Sequence, residues 1–266
     1  MANLEATLAA LRHQQRLALV PYFPVGFPEP DSALALIAAA AEAGADAIEL
    51  GVPFSDPLAD GPIIQQATTR ALQHQITLGH CLATVRAARA AGYQLPLLLM
   101  GYYNPILRFG VARFAAEAAA AGVAGCIVPD LPPEERGELL PPLEVHGIPL
   151  IPMVAPTSPP ARIRLATAGA RGFVYCISVT GVTGARHDLP PDLPAFVERV
   201  RAVTDLPIGI GFGISQPAHL EALRSFADLA IIGSAIVAQI DRPTTAEAAR
   251  ALSEFLRRLR GAVVAR

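Results

Sequence analysis

Two carboxylate residues lie close together in a stretch where an apolar, strand-like run breaks into a loop rich in proline and aspartate. Glu49 lies between Ile48 and Leu50 near the end of the run, and Asp60 lies in the loop that follows. Different surroundings push the pKa values of two carboxyl groups apart, which gives one residue type separate acid and base roles. The pair therefore indicates acid–base chemistry on a bound substrate.

Each of the two carboxylates also has a structural interpretation. Strand alternation places Glu49 on one face with Ala47 and Gly51, and at a strand end in a barrel this face is the interior rim, where a charge without a function is costly. Burial there would raise the pKa of Glu49, so that it could both take and give a proton near neutrality. The alternatives are a buried ion pair of Glu49 with an arginine, and a capping role for Asp60 in Asp-Gly-Pro before a helix.

Short apolar runs alternate with alanine-rich segments along the chain and provide the elements that would position these side chains. The eight candidate strands span residues 17–23, 47–50, 95–102, 125–129, 148–154, 172–178, 206–212 and 228–233. Helical patterns span residues 31–43, 78–91, 109–121, 134–146, 158–168, 192–203, 216–224 and 245–259, with a short helix after Ser234. This α/β pattern predicts a (β/α)8 TIM barrel with an extra N-terminal helix. An open doubly wound sheet is the alternative, although no glycine fingerprint opens the first unit.

Composition places the chain among compact proteins without nucleic-acid or membrane functions. Its 266 residues predict a single domain over positions 1–266, because one barrel typically takes about 250 residues. Hydrophobic residues make up 52% of the chain and charged residues 17%. The net charge of −2 provides no basic surface for nucleic acid or anionic membranes. No apolar run approaches the roughly 20 residues that span a bilayer, so we expect a soluble, cytoplasmic protein.

The residues that carry special chemistry are either few or absent. Cys81, Cys126 and Cys176 lie in apolar surroundings, which predicts buried reduced thiols. All 21 basic residues are arginine, so the chain has no lysine for a Schiff base. The six histidines show no metal-ligand spacing, so no metal site is predicted.

Several loops after the candidate strands could bind a ligand. The segments Gly211 to Ser215 and Gly233 to Ile236 follow the last two strands, where barrel enzymes bind phosphate through backbone N–H groups. The alternative is that these glycines only form turns. The segment Ser178 to Arg186 is predicted to be a mobile lid, or else a connector without a catalytic part. Aromatic side chains near four strand ends indicate a flat apolar ligand, or ordinary core filling: Tyr22, Tyr102, Tyr175 and Phe212.

Seven motifs together resemble the α chains of tryptophan synthase over essentially the whole sequence. They are ELGVPFSDPLADGP (49–62), MGYYNP (100–105), VPDLPPEE (128–135), APTS (155–158), GVTGAR (181–186), GFGIS (211–215) and GSAIV (233–237). The resemblance implies cleavage of indole-3-glycerol phosphate to indole and glyceraldehyde 3-phosphate by a retro-aldol step without metal or Schiff base. It also implies that Glu49 is the acid–base residue and that Asp60 binds the indole N–H.

The same resemblance implies roles for further positions. Residues matching the indole pocket are Tyr22, Met100, Ile127, Met153 and Tyr175, and Thr183 matches a lid threonine that closes towards Asp60. Backbone amides matching the phosphate site belong to Gly184, Gly213, Gly233 and Ser234. An α2β2 complex is implied, with no cofactor in this chain and pyridoxal phosphate in the β subunit, which would face Pro53, Phe54, Asp56 and Pro57. Pro24 departs from the family pattern, which commonly has threonine after strand 1.

Three other functions are compatible with parts of this pattern. The chain could be a stand-alone lyase that releases indole, or an allosteric activator of a β subunit with little activity of its own. Intact Glu49 and Asp60 argue against the activator. A phosphate-binding barrel isomerase is the third alternative, but the loop after strand 2 offers it no support.

Overall fold

In the computed structural model, which describes residues 3–177, 189–211 and 213–264, eight parallel strands form the centre of the molecule. The strands are β1 Ala18–Pro24, β2 Ile48–Gly51, β3 Leu97–Met100, β4 Gly125–Ile127, β5 Met153–Val154, β6 Val174–Ile177, β7 Ile208–Gly211 and β8 Leu229–Ile232. Their hydrogen-bonded order is β4-β3-β2-β1-β8-β7-β6-β5. The first and last strands of the sequence are therefore neighbours, as barrel closure requires.

The two ends of this order also meet. Cys126 of β4 pairs with Leu150, just before β5, in an isolated parallel bridge. The N–H of Cys126 donates to the carbonyl of Pro149 (2.9 Å), and the N–H of Ile151 donates to the carbonyl of Cys126 (2.8 Å). These contacts close the sheet, so the predicted (β/α)8 barrel is confirmed and the open doubly wound sheet is wrong.

Helices surround the strands. They are α1 Leu4–His13, α2 Ser32–Glu42, α3 Pro62–Gln73, α4 Leu78–Ala90, α5 Tyr103–Phe109, α6 Val111–Ala121, α7 Leu140–Val145, α8 Pro160–Thr167, α9 Leu193–Arg201, α10 Pro217–Leu223, α11 Ser234–Ile240 and α12 Thr245–Val264. The extra N-terminal helix, α1, buries Leu4, Leu8 and Leu11 against the barrel. Helix α12 packs on α2, α10 and α11. None of the described helices combines the length and apolarity needed to cross a membrane.

Helices α7 and α5 are among those that differ from the sequence expectation. The helix expected over residues 134–146 begins only at Leu140, and residues 133–139 form turns. Pro141 and Pro142 lack the N–H that an interior helical residue donates, so they fit only the first turn of a helix. The sequence pattern does not predict α5, because a helix of seven residues that contains Pro105 is too short to show a clear period.

Two glycines at strand ends leave room for tyrosine hydroxyls in the barrel interior. A Cβ atom added at Gly51 would lie 2.4 Å from the Tyr22 hydroxyl, and one added at Gly211 would lie 2.4 Å from the Tyr175 hydroxyl. Both tyrosines are buried, so neither ring can move into solvent without cost. The two glycines therefore fix how deep these tyrosines lie.

We expect Gly51→Ala to lower the free energy of unfolding by about 1–3 kcal/mol, because the added methyl group overpacks the core against Tyr22. Urea denaturation of the purified chain measures this value. Gly137→Ala is the matched control, since a Cβ atom there meets nothing within 4 Å. Equal stability of the two variants would contradict the tight fit between Gly51 and Tyr22.

Candidate functional site

Glu49 is a fully buried carboxylate in the barrel interior. It lies on β2 in register with Tyr22 of β1, and its exposed fraction is 0%. Neither carboxylate oxygen has a hydrogen-bond partner within the described part of the chain, so the ion pair with an arginine is not present there. Burial, and secondly the charge of Asp60, raise the pKa of Glu49 to about 8. Such a carboxyl group holds its proton at neutral pH and can still exchange it.

Asp60 lies in the loop between β2 and α3, and its side chain does not cap the helix. Gly61 occupies the N-cap position of α3, with no side-chain capping bond. The hydroxyl of Tyr102 instead donates a hydrogen bond to Asp60 Oδ2 (3.1 Å). Burial raises the pKa of Asp60 to about 6, and the hydrogen bond from Tyr102 opposes this rise. Asp60 is therefore the more acidic carboxyl group of the pair.

Both carboxylates line one cavity of about 40 Å³ at the C-terminal end of the strands. Six other residues predicted from the sequence lie in the same lining: Tyr22, Met100, Tyr175, Gly213, Gly233 and Ser234. The structure thus brings together both acid–base candidates, part of the apolar pocket and the two glycine loops. Gly213 has a positive φ of 79°, a conformation that glycine adopts readily.

The wall of this cavity includes residues that the sequence reasoning did not identify. These are Ile64 in the first turn of α3 and Ile231 on β8, which add apolar surface, whereas Ile214, Ser215 and Ala235 in the same lining belong to the two predicted glycine segments. Strand alternation could have identified Ile231, because it lies two residues before Gly233 and therefore points to the same face of the sheet. Ile64 carries no such signal, since its position depends on how α3 crosses the barrel mouth.

The remaining predicted residues lie elsewhere or outside the described residues. Ile127 is fully buried and pairs with Met100, while Met153 pairs with Tyr175, but neither is among the described residues that line the cavity. Met153 lines a separate groove of about 330 Å³ between the segment after β4 and α8. Thr183, Gly184, Phe212 and the expected lid at positions 178–186 lie outside the described residues. Their roles stay predictions.

The two tyrosines in the cavity are neutral groups. Burial raises the pKa of Tyr22 and of Tyr175 well above the ordinary value, and the charges of Asp60 and Glu49 raise both further. Both phenols therefore keep their protons over the working range of the two carboxyl groups. They provide flat apolar faces with hydroxyl ends beside the acid–base pair.

The loop between β2 and Asp60 combines buried and exposed residues. Pro53 is buried and Phe54 and Pro57 are partly buried, whereas Asp56 is exposed. Leu58, in the same loop, is 90% exposed. Large apolar side chains that are so accessible are common at protein interaction sites when they group with other apolar residues. The loop is thus buried at its end, where Asp60 lies, and exposed at its tip.

The remaining reactive side chains are buried or scattered. Cys81, Cys126 and Cys176 are buried free thiols, as predicted, and burial raises the pKa of each to about 12. Among residues 3–177, 189–211 and 213–264, no group of three or more histidine, cysteine, aspartate or glutamate residues could hold a metal ion.

Comparison with known proteins gives consistent matches over nearly the full length. A family model described as the tryptophan synthase alpha chain matches residues 8–263. A relative from Chloroflexus aggregans with this name is 49% identical, covering 97% of both chains. Another from Roseiflexus castenholzii is 50% identical over 98% of this chain and 100% of its own. A chain in a structure of Mycobacterium tuberculosis tryptophan synthase superposes with a TM-score of 0.90 at 38% identity, with full coverage of both chains.

Proposed function

The chain belongs to the tryptophan synthase alpha chain family, and from this membership we propose that it cleaves indole-3-glycerol phosphate to indole and glyceraldehyde 3-phosphate. The observation that carries the proposal is the shared cavity of Glu49 and Asp60. One of these carboxyl groups has no hydrogen-bond partner among the described residues, and the two have separated pKa values. A retro-aldol cleavage without metal or Schiff base requires such a pair, and it fits a chain that contains no lysine.

Glu49 would move the proton that the reaction transfers. The protonated carboxyl group gives its proton to C3 of the indole ring, which becomes an indolenine with a positively charged nitrogen. The resulting carboxylate then takes the proton of the side-chain hydroxyl next to the ring. The bond between C3 and the side chain breaks, its electron pair returns to the ring, and the former hydroxyl carbon becomes the aldehyde. Glu49 ends protonated, as it began, so no proton is gained or lost overall.

Asp60 would stabilise the charged ring. With a pKa near 6, it is mostly ionised at neutral pH while Glu49 is mostly protonated. A carboxylate that accepts a hydrogen bond from the indole N–H binds more strongly when that nitrogen becomes positive. Asp60 therefore favours the intermediate over the substrate, as differential binding requires.

The glycine loops and the exposed loop support two further parts of the proposal. Backbone amides at Gly213, Gly233 and Ser234, together with Gly184, would bind the phosphate of the substrate. The loop from Pro53 to Asp60, with Leu58 at its exposed tip, would bind a β subunit in an α2β2 complex. The cofactor of that complex, pyridoxal phosphate, would belong to the β subunit.

The test is the release of indole from indole-3-glycerol phosphate by the chain alone and with a β subunit. We expect release in both conditions and a faster rate with the β subunit. The substrate without its phosphate serves as a control and should bind more weakly, because the glycine loops then lose their anion. No indole in either condition would exclude the lyase, whereas equal rates in both conditions would favour the stand-alone enzyme.

A further inference from the structure

Tyr102 makes two hydrogen bonds with consecutive residues of the loop that carries Asp60. Its hydroxyl donates to Asp60 Oδ2 (3.1 Å) and accepts from the backbone N–H of Ala59 (3.0 Å). Its ring packs on Phe54, with the ring centroids 5.3 Å apart and the planes at 33°. One buried side chain, only 4% exposed, therefore contacts the loop at its start and at its end.

Tyr102 lies behind Asp60 and not in the wall that faces the substrate. Among the described residues, the lining of the cavity that contains Glu49 and Asp60 does not include Tyr102. Tyr102 instead lines a small apolar void with Val52 and Ile127, between the barrel wall and the helices. Its hydroxyl already donates its one proton to Asp60 Oδ2, so it has no proton left to donate to a substrate.

We propose that Tyr102 is a positioning residue that aims the Asp60 carboxylate into the cavity and ties it to the exposed loop from Pro53 to Ala59. The inference rests on the proposed function, since it gives that function's second carboxylate its support. Asp60 lies on a loop and has no other side-chain donor within the described part of the chain. Without the Tyr102 hydroxyl its carboxylate could rotate away from the ring nitrogen.

The charges around Asp60 make this hydrogen bond consequential. Titratable groups on three strands interact electrostatically with Asp60: Glu49 on β2, Tyr22 on β1 and Tyr175 on β6. The charge of Asp130 raises the pKa of Tyr102, which is the hydrogen-bond partner of Asp60. Burial raises the pKa of Asp60, and the Tyr102 hydrogen bond lowers it. The hydroxyl therefore keeps Asp60 ionised in a site where burial favours its protonated form.

The test is Tyr102→Phe in the complex with a β subunit, with Tyr103→Phe as the matched control. Tyr103 donates to Glu138 Oε2 (2.6 Å) outside the cavity, so its variant also loses one phenol hydrogen bond. We expect Tyr102→Phe to lower kcat about 10-fold while KM stays unchanged, because a hydrogen bond to a charged group is lost but no substrate contact. The acid limb of the kcat/KM profile should move up by about 1 pH unit. The control should leave kcat, KM and the pH profile as in the wild type.

A second measurement does not need turnover. Titration of the Asp60 carboxyl carbon by NMR in the full chain, assigned with Asp60→Asn, should show a higher pKa in Tyr102→Phe than in the wild type. An unchanged Asp60 titration would overturn the inference whether or not the enzyme is active. A KM that rises with unchanged kcat would overturn it too, because that result describes a substrate-binding residue. If the titration shifts but the wild type releases no indole, the proposed function fails and the positioning role stands.

Discussion

Glu49→Gln is expected to lose about 10²–10⁴-fold in kcat while it still binds a phosphate-bearing ligand. Glutamine has the shape of the protonated carboxyl group but cannot give its proton to C3 or accept one from the hydroxyl. The proposed phosphate loops follow β7 and β8, whereas Glu49 is on β2, so the variant keeps the backbone groups that would bind the phosphate. Indole release in the complex and calorimetric titration with glycerol phosphate measure the two quantities separately.

The same variant has an expected effect on stability. Glu49 has a pKa of about 8 in the folded chain against an ordinary value of 4.5, so the folded state holds a proton that the unfolded state releases. The wild type therefore loses free energy of unfolding as the pH rises from 4.5 to about 8. Glutamine has no proton to lose, so Glu49→Gln should become increasingly more stable than the wild type over this range. A folded variant with unchanged turnover would remove Glu49 from the proposed role.

Asp60→Asn is expected to lower kcat about 10²–10³-fold, because the neutral amide cannot stabilise a positively charged indolenine. The shape of the side chain is kept, and its carbonyl can still accept the hydrogen bond from Tyr102. Single-turnover measurement of indole formation follows the chemical step directly. Asp31→Asn is the matched control, since Asp31 is exposed and makes no side-chain capping bond at α2.

The pH profile gives this second prediction a separate check. The wild type should lose kcat/KM as the pH falls through the Asp60 pKa near 6, because the protonated carboxyl group no longer balances the charge on the ring. Asp60→Asn should lack this limb at its lower overall rate. If the variant keeps both the rate and the limb, another group carries the charge stabilisation.

The barrel could be predicted from the sequence because its signals are local and repeated. Apolar runs, helical periods and glycines such as Gly44 and Gly122 after helices occur unit by unit, and both of these glycines have the positive φ expected of a C-terminal cap. The structure then supplies closure, which depends on the contact of Cys126 with Leu150. That contact joins two residues that are distant in sequence, so it produces no local pattern.

The candidate site was predictable only in part. Strand phase is sufficient to place Glu49 in the interior, because a side chain's face follows from its position in the strand. Asp60 is different, since a loop has no period, and the sequence allowed a capping role that the structure assigns to Gly61. The environment of Tyr102 is harder still to predict, because its hydroxyl meets Asp60 across 42 positions of sequence. Sequence pattern identifies an aromatic residue there but not the direction of its hydroxyl.

The bridge between Cys126 and Leu150 also determines where the barrel opens locally. Seven strand interfaces carry continuous ladders, and the eighth, between β4 and the two-residue β5, carries this short seam. Amide hydrogens near the seam should therefore exchange with solvent sooner than those of β1 and β8, which lie diametrically opposite. Tyr22 and Gly233 belong to that opposite side, and Glu49 is one strand away. Thermal fluctuations of the barrel would thus occur mainly on the side away from Tyr22, Glu49 and Gly233, and the spacing of these residues would be preserved.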